Sequence, residues 1–107
     1  MKTLIVEEGA TAEFEEAAER YEAEDATVAW RFVQEVLAAI EAVHRSPGEW
    51  PLAPTVPESI GVRRRLVAGF PYAVVYMETD DSVWIIAVAH GKRRPGYWRE
   101  RMRLPRR

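Results

Sequence analysis

Residues 62–98 read VRRRLVAGFPYAVVYMETDDSVWIIAVAHGKRRPGYW, and this stretch decides the fold. It holds three candidate strands, at 62–67, 72–77 and 83–89, the first of which carries Arg63, Arg64 and Arg65. The breaks between them are Ala68-Gly69-Phe70-Pro71 and Thr79-Asp80-Asp81-Ser82, both rich in turn-forming residues. Short β-branched runs separated by such breaks predict consecutive strands joined by tight connections. The run Ile85-Ile86-Ala87-Val88-Ala89 is apolar at every position, which predicts a strand buried on both faces in the middle of its sheet.

Ahead of this stretch the period changes from two to 3.6. Leu4-Ile5-Val6 is a short β-type run that Gly9 ends. Phe14, Ala17, Ala18 and Tyr21 then recur at helical spacing, with Glu13, Glu15, Glu16 and Glu19 assigned to the opposite face and Thr11 as the candidate cap. Asp25 is placed to cap a second helix whose stripe is Val33, Val36, Leu37, Ile40 and Val43, reinforced by Trp30 and Phe32. That helix should stop near Ser46, because Pro47 disfavours α geometry in the residue before it. The segment from Pro47 to Pro57 holds four prolines and Trp50 and reads as a crossover loop that Trp50 pins to the helices. Phe14, Tyr21, Trp30 and Phe32 are expected in the core. The order β-α-α-β-β-β predicts an α+β domain, with a helical hairpin packed on a small antiparallel-rich sheet.

The chain has 107 residues, the size of one domain, and its apolar fraction of 48% suffices for one core. The absence of cysteine excludes disulfide and thiolate chemistry and fits a cytoplasmic location. No apolar run approaches the ~18 residues that a bilayer span needs, so no membrane partner is expected. With two histidines and no Gly-rich phosphate loop, neither a metal nor another cofactor is expected. Charge is strongly polarised. Residues 1–60 carry 13 acidic and 4 basic side chains, while residues 61–107 carry 11 basic and 4 acidic. Such asymmetry points to an electrostatic partner for one face, nucleic acid or an acidic protein.

The succession YEAEDATVAWRFVQEVLAAI, a Pro- and Trp-containing loop, and then the three-strand stretch resembles the RelE/ParE superfamily, the toxin halves of bacterial type II toxin–antitoxin modules. The most specific parts are Phe70-Pro71-Tyr72 with Tyr76, and Ala87-Val88-Ala89-His90 followed by Arg93-Arg94-Pro95-Gly96-Tyr97-Trp98. The resemblance covers nearly the whole chain. It implies growth inhibition and a cognate antitoxin bound in a toxin–antitoxin hetero-oligomer. The target it implies is either DNA gyrase, for the ParE-like branch, or the ribosome with its mRNA, for the RelE-like branch. Two features bring the chain closer to the ParE-like branch. Ala73 stands where the RelE pattern has a third-strand arginine, and Tyr97 and Trp98 lie four and five residues after Arg93 where that pattern has an aromatic at six.

If the chain is a metal-independent endoribonuclease, His90 is the candidate acid or base, and Arg64, Arg65 and Arg93 the candidates for stabilising phosphorane charge. Tyr97 would then stack on a base or move a proton. The alternative for His90 is a strand-end cap bonded to backbone. The alternative for the Arg63-Arg64-Arg65 run is a solvated sheet face paired with the acidic helices. Neighbours on a strand point to opposite faces, so these three arginines cannot form one patch. Lys92, Arg93, Arg94, Tyr97, Trp98 and Arg99 form the candidate surface for an antitoxin or target, since cations beside aromatics suit such contacts. Pro95-Gly96 is expected to turn Tyr97 and Trp98 back onto the sheet. The segment 99–107 is read as a basic tail that either extends a short helix or frays. A third reading is a non-toxic nucleic-acid or regulatory binding module with the same fold.

Overall fold

The computed structural model describes residues 1–103, with elements in the order β1 (Thr3–Val6), α1 (Glu8–Glu24), α2 (Ala26–Arg45), β2 (Val62–Leu66), β3 (Tyr72–Glu78) and β4 (Ser82–His90). Short 3-10 helices lie at Pro47–Glu49, Glu58–Ile60 and Tyr97–Arg103. The first part of the expected basic tail is therefore a 3-10 helix, and 104–107 lie outside the described residues.

The sheet runs β1-β4-β3-β2. β4 is central, as its unbroken apolar run predicts. β1 pairs with it in parallel and the other pairings are antiparallel. The helical hairpin covers one face. Between helices and sheet lie Phe32, Val36, Val43, Val74, Tyr76, Val83 and Ile85, each fully buried. Phe32 is the hub of this layer, with the rings of Phe14, Tyr21, Phe70 and Tyr72 centred 5.0–6.0 Å from its own. The opposite face is not bare. Ala53 of the crossover loop and Trp98 of the C-terminal 3-10 helix pack there on Val62, Val75, Ile86 and Ala87. The turn at Pro95-Gly96 thus does fold Trp98 back, leaving it 4% exposed.

Ile86 is an extra residue in the β3–β4 ladder, because Val75 pairs with Ala87 while Tyr76 pairs with Ile85. Such a bulge shifts the side-chain alternation by one. Val83 and Ile85 face the helices and Ile86 and Ala87 face away, after which Val88 faces the helices again. The shift puts His90 on the same side as its partner Tyr72.

Three details differ from the sequence reading. Glu7, not Thr11, caps α1, and its carboxylate accepts from the Gly9 N–H at 2.8 Å. Trp30 is 65% exposed rather than buried, and Leu37 is 48% exposed. They lie on the opposite side of the helix from the Phe32/Val36/Ala39/Val43 face that α2 buries. Glu13 does not share the outer face of α1 with its fellow glutamates but points at β4, its side chain 15% exposed. The hairpin covers the Arg63/Arg65 face of β2, while Val62 packs in the opposite layer. Asp25 caps α2 as read, accepting from the N–H groups of Thr27 and Val28.

Candidate functional site

The faces of β2 sort its three arginines. Arg63 donates to the Trp50 carbonyl, and the Arg65 guanidinium lies 4.5 Å from the Trp50 ring centre. Both therefore hold the crossover loop in place. Arg64, exposed on the other face, looks into a cleft of about 340 Å³. The floor of this cleft is apolar, with Leu66, Phe70, Ala73 and Val75 among its residues, and Arg64, His90, Arg93 and Arg94 also line it. Its far wall is the Pro95–Trp98 turn. Of the sequence candidates, Arg64, His90, Arg93, Arg94, Tyr97 and Trp98 come together here. Arg65 and Arg99 do not line the cleft, and Lys92 lines a second cleft with Glu16 and Arg20 on the far side of His90.

Each candidate acid–base group is already engaged. The Nδ1 atom of His90 accepts the Lys92 N–H at 3.0 Å, so a neutral ring carries its proton on Nε2. Its ring stacks edge-on against Tyr72, with centroids 4.9 Å apart. The Tyr97 hydroxyl donates to Glu13, and burial together with that bond raises its pKa well above the usual phenol value. A phenol held neutral in this way is a poor proton carrier near pH 7. The Arg93 guanidinium carbon lies over the Tyr97 ring, 3.7 Å from its centre.

Glu13 is the residue that sequence reasoning missed. Its carboxylate accepts from the Val88 N–H at 3.0 Å, from Tyr97, and from both Nη atoms of Arg101 at 3.1 and 2.9 Å. The signal was present in the spacing. Glu13 falls on the stripe of Ala10, Phe14, Ala17 and Tyr21, and an acid on an apolar stripe needs a buried partner. Arg101 is also the only cation of the C-terminal third found in an ion pair among the described residues. Arg64, Arg93 and Arg94 have no carboxylate within 4.0 Å among those residues, so the cleft rim keeps its positive charge.

Among the described residues no helix is long and apolar enough to cross a membrane. No curated protein matches the sequence. A chain from the solved structure "Chromosomal ParDE TA system from P. aeruginosa" is similar in fold, with a TM-score of 0.71 at 17% identity over 84% of this chain and 96% of that one. The family model described as the ParE toxin of the type II toxin–antitoxin system parDE matches residues 4–95. That match takes in both helices, all of the sheet but Thr3, and the cleft rim as far as Pro95, and the chain belongs to the ParE toxin family.

Proposed function

We propose that this protein arrests bacterial growth by protein contact with DNA gyrase, acts in the cytoplasm, and is neutralised by a cognate antitoxin. Family membership supports the toxin role and the antitoxin partner. The observation that carries the binding mechanism is the state of the would-be catalytic set. Arg65 is turned away from the cleft onto Trp50, the Tyr97 hydroxyl is committed to Glu13, and Ala73 leaves the cleft floor without a cation. What remains is an apolar cleft with a positive rim, which suits a protein surface better than the proton transfers of phosphodiester cleavage. One observation favours the endoribonuclease alternative: Arg64, His90, Arg93 and Tyr97 do share one cleft.

Inducible expression without antitoxin tests the proposal. Growth arrest with gyrase-dependent DNA breaks and intact mRNA is the expected result. Translation-dependent cuts in mRNA, abolished by His90→Ala and Arg93→Ala together, would establish the ribonuclease instead. Survival with no lesion of either kind would leave only a binding module.

A further inference from the structure

The second cleft, on the helix side of His90, has a volume of about 280 Å³, and the protein-contact reading makes no use of it. α1 lends Glu16 and Arg20 to its walls, and the end of β4 with the turn after it lends His90, Lys92 and Arg93. Tyr72, only 5% exposed, reaches it from β3. The Tyr72 hydroxyl accepts from Nη2 of Arg20 at 2.9 Å, and its own proton has no acceptor among the described residues. A buried hydroxyl with an unused proton at the wall of a cleft points to a missing acceptor. Other donors converge with it. Since Nδ1 of His90 takes the Lys92 N–H, the ring has Nε2–H to offer, and that group has no acceptor among the described residues either. Arg20, Lys92 and Arg93 have no carboxylate within 4.0 Å among them. Glu13 also lines the cleft, but Val88, Tyr97 and Arg101 already occupy its carboxylate. Three cations therefore face one uncommitted carboxylate, that of Glu16, and the balance favours an anion.

We propose that this cleft binds a small phosphate monoester that carries hydroxyl groups. The phosphate sits between Arg20, Tyr72, His90 and Lys92, and one of its oxygens supplies the acceptor that the Tyr72 hydroxyl lacks. The donors come from α1, β3 and the β4 end, so they approach from several directions. A tetrahedral oxyanion can use such a set, whereas a planar carboxylate is matched best by a single flat arginine fork. Arg20 is held in place for this by its bond to Tyr72. The volume leaves room for the remainder of an ester yet lies below the roughly 300 Å³ at which pockets for drug-sized ligands begin. Glu16 on the wall can accept from hydroxyls of that remainder. A nucleic-acid backbone fits less well, because its further phosphates would run against the exposed Glu15, Glu16 and Glu19 of α1. The site serves binding alone, with no bond made or broken, and it is separate from the proposed gyrase contact. Arg64 and Arg94 line the first cleft and not this one.

The test uses the full chain with glycerol phosphate as the probe, compared with glycerol, sulfate and an oligothymidylate at constant ionic strength. Calorimetric titration measures affinity, and NMR signals of the Tyr72 and His90 rings locate the ligand. Glycerol phosphate should shift both rings and bind about tenfold more tightly than sulfate or glycerol. Tyr72→Phe keeps the buried ring and removes the hydroxyl. It should weaken binding about tenfold, the worth of one bond to a charged group. Arg20→Gln changes an exposed helix position, so the fold is not at stake, and should weaken binding to a similar degree. Arg94→Ser, on the first cleft, should leave the affinity unchanged. Failure of glycerol phosphate to bind, affinity no better than for sulfate, affinity that survives both Tyr72→Phe and Arg20→Gln, or affinity lost in Arg94→Ser would each overturn the proposal. Displacement of the probe by oligothymidylate would overturn it as well, by making the cleft a nucleic-acid surface.

Discussion

Glu13 on α1 and Arg101 beyond β4 together fill the stretch of β4 edge that β1 is too short to reach. β1 ends opposite Ile85, and the Glu7 N–H makes the last backbone bond to that strand. One step further, Arg101 donates to the Ile86 carbonyl at 3.0 Å and the Val88 N–H donates to Glu13 at 3.0 Å. Two side chains thus satisfy the backbone groups that a longer β1 would have paired.

Glu13→Gln should therefore cost more than a surface charge. The amide keeps the shape but leaves Arg101 without its carboxylate and weakens a charge-assisted bond to Val88. A loss of about 2–3 kcal/mol is expected, discounted from the fully buried case because the pair is 15% and 23% exposed. Urea midpoints measure it, and faster exchange of the Val88 amide localises it. A midpoint within error of the parent would mean that the network is a surface pair of little worth.

Gly9 sits where this network crosses α1. A Cβ added there would lie 2.6 Å from Cζ of Arg101. Alanine in a helix normally gains about 1 kcal/mol over glycine. Here it would push aside a guanidinium held by Glu13 and by the Ile86 carbonyl. Gly9→Ala should lower the melting temperature in the parent and raise it in an Arg101→Ala background. A double-mutant cycle reads that change of sign directly, and the same sign in both backgrounds would show that Arg101 yields freely.

Much of this architecture is legible in the chain because it is local. The β-branched runs, the Asp25 cap and the stop at Pro47 each depend on neighbours a few residues away. The central place of β4 follows from the one run that is apolar at every position. What escapes is set by long-range geometry. Nothing near Ile86 announces a bulge, yet the bulge decides which face His90 takes. Nothing near Arg65 shows that the helices lie on its side of β2 rather than on that of Arg64. The cleft itself joins 53–54, the β2–β3 corner and 89–98, so its basic and aromatic candidates were legible and its shape was not. Glu7 defeats the capping rule because glutamate is not among the usual N-caps, although its carboxylate makes the same bond.

Trp30 and Phe32 lie two residues apart on α2 with opposite fates, so substituting them checks which way the helix faces. Phe32 is fully buried at the centre of four rings. Phe32→Ala should cost about 3–5 kcal/mol. Trp30→Ser should stay within about 0.5 kcal/mol, since the side chain stands mostly in solvent. Chemical denaturation of both variants supplies the comparison. Equal costs would place Trp30 in a packed interface and α2 in another rotation.

Two buried phenols make stability fall at alkaline pH. The Tyr76 hydroxyl donates to the Pro47 carbonyl, and burial pushes its pKa up to about 12. Tyr97 is raised in the same direction by burial and by Glu13. In the unfolded chain a tyrosine ionises near pH ~10. Below that value both states hold the proton and the contribution is complete. Between ~10 and about 12 the unfolded chain loses its proton while folded Tyr76 keeps it, so unfolding releases a proton and becomes easier as pH rises. Melting temperature should decline through this window, with part of the phenolate absorbance appearing only as the protein unfolds. Tyr76→Phe should flatten the decline while costing about 1 kcal/mol at neutral pH through the lost bond to Pro47. A folded protein whose tyrosines all ionise in a single step near pH ~10 would contradict the burial of both hydroxyls.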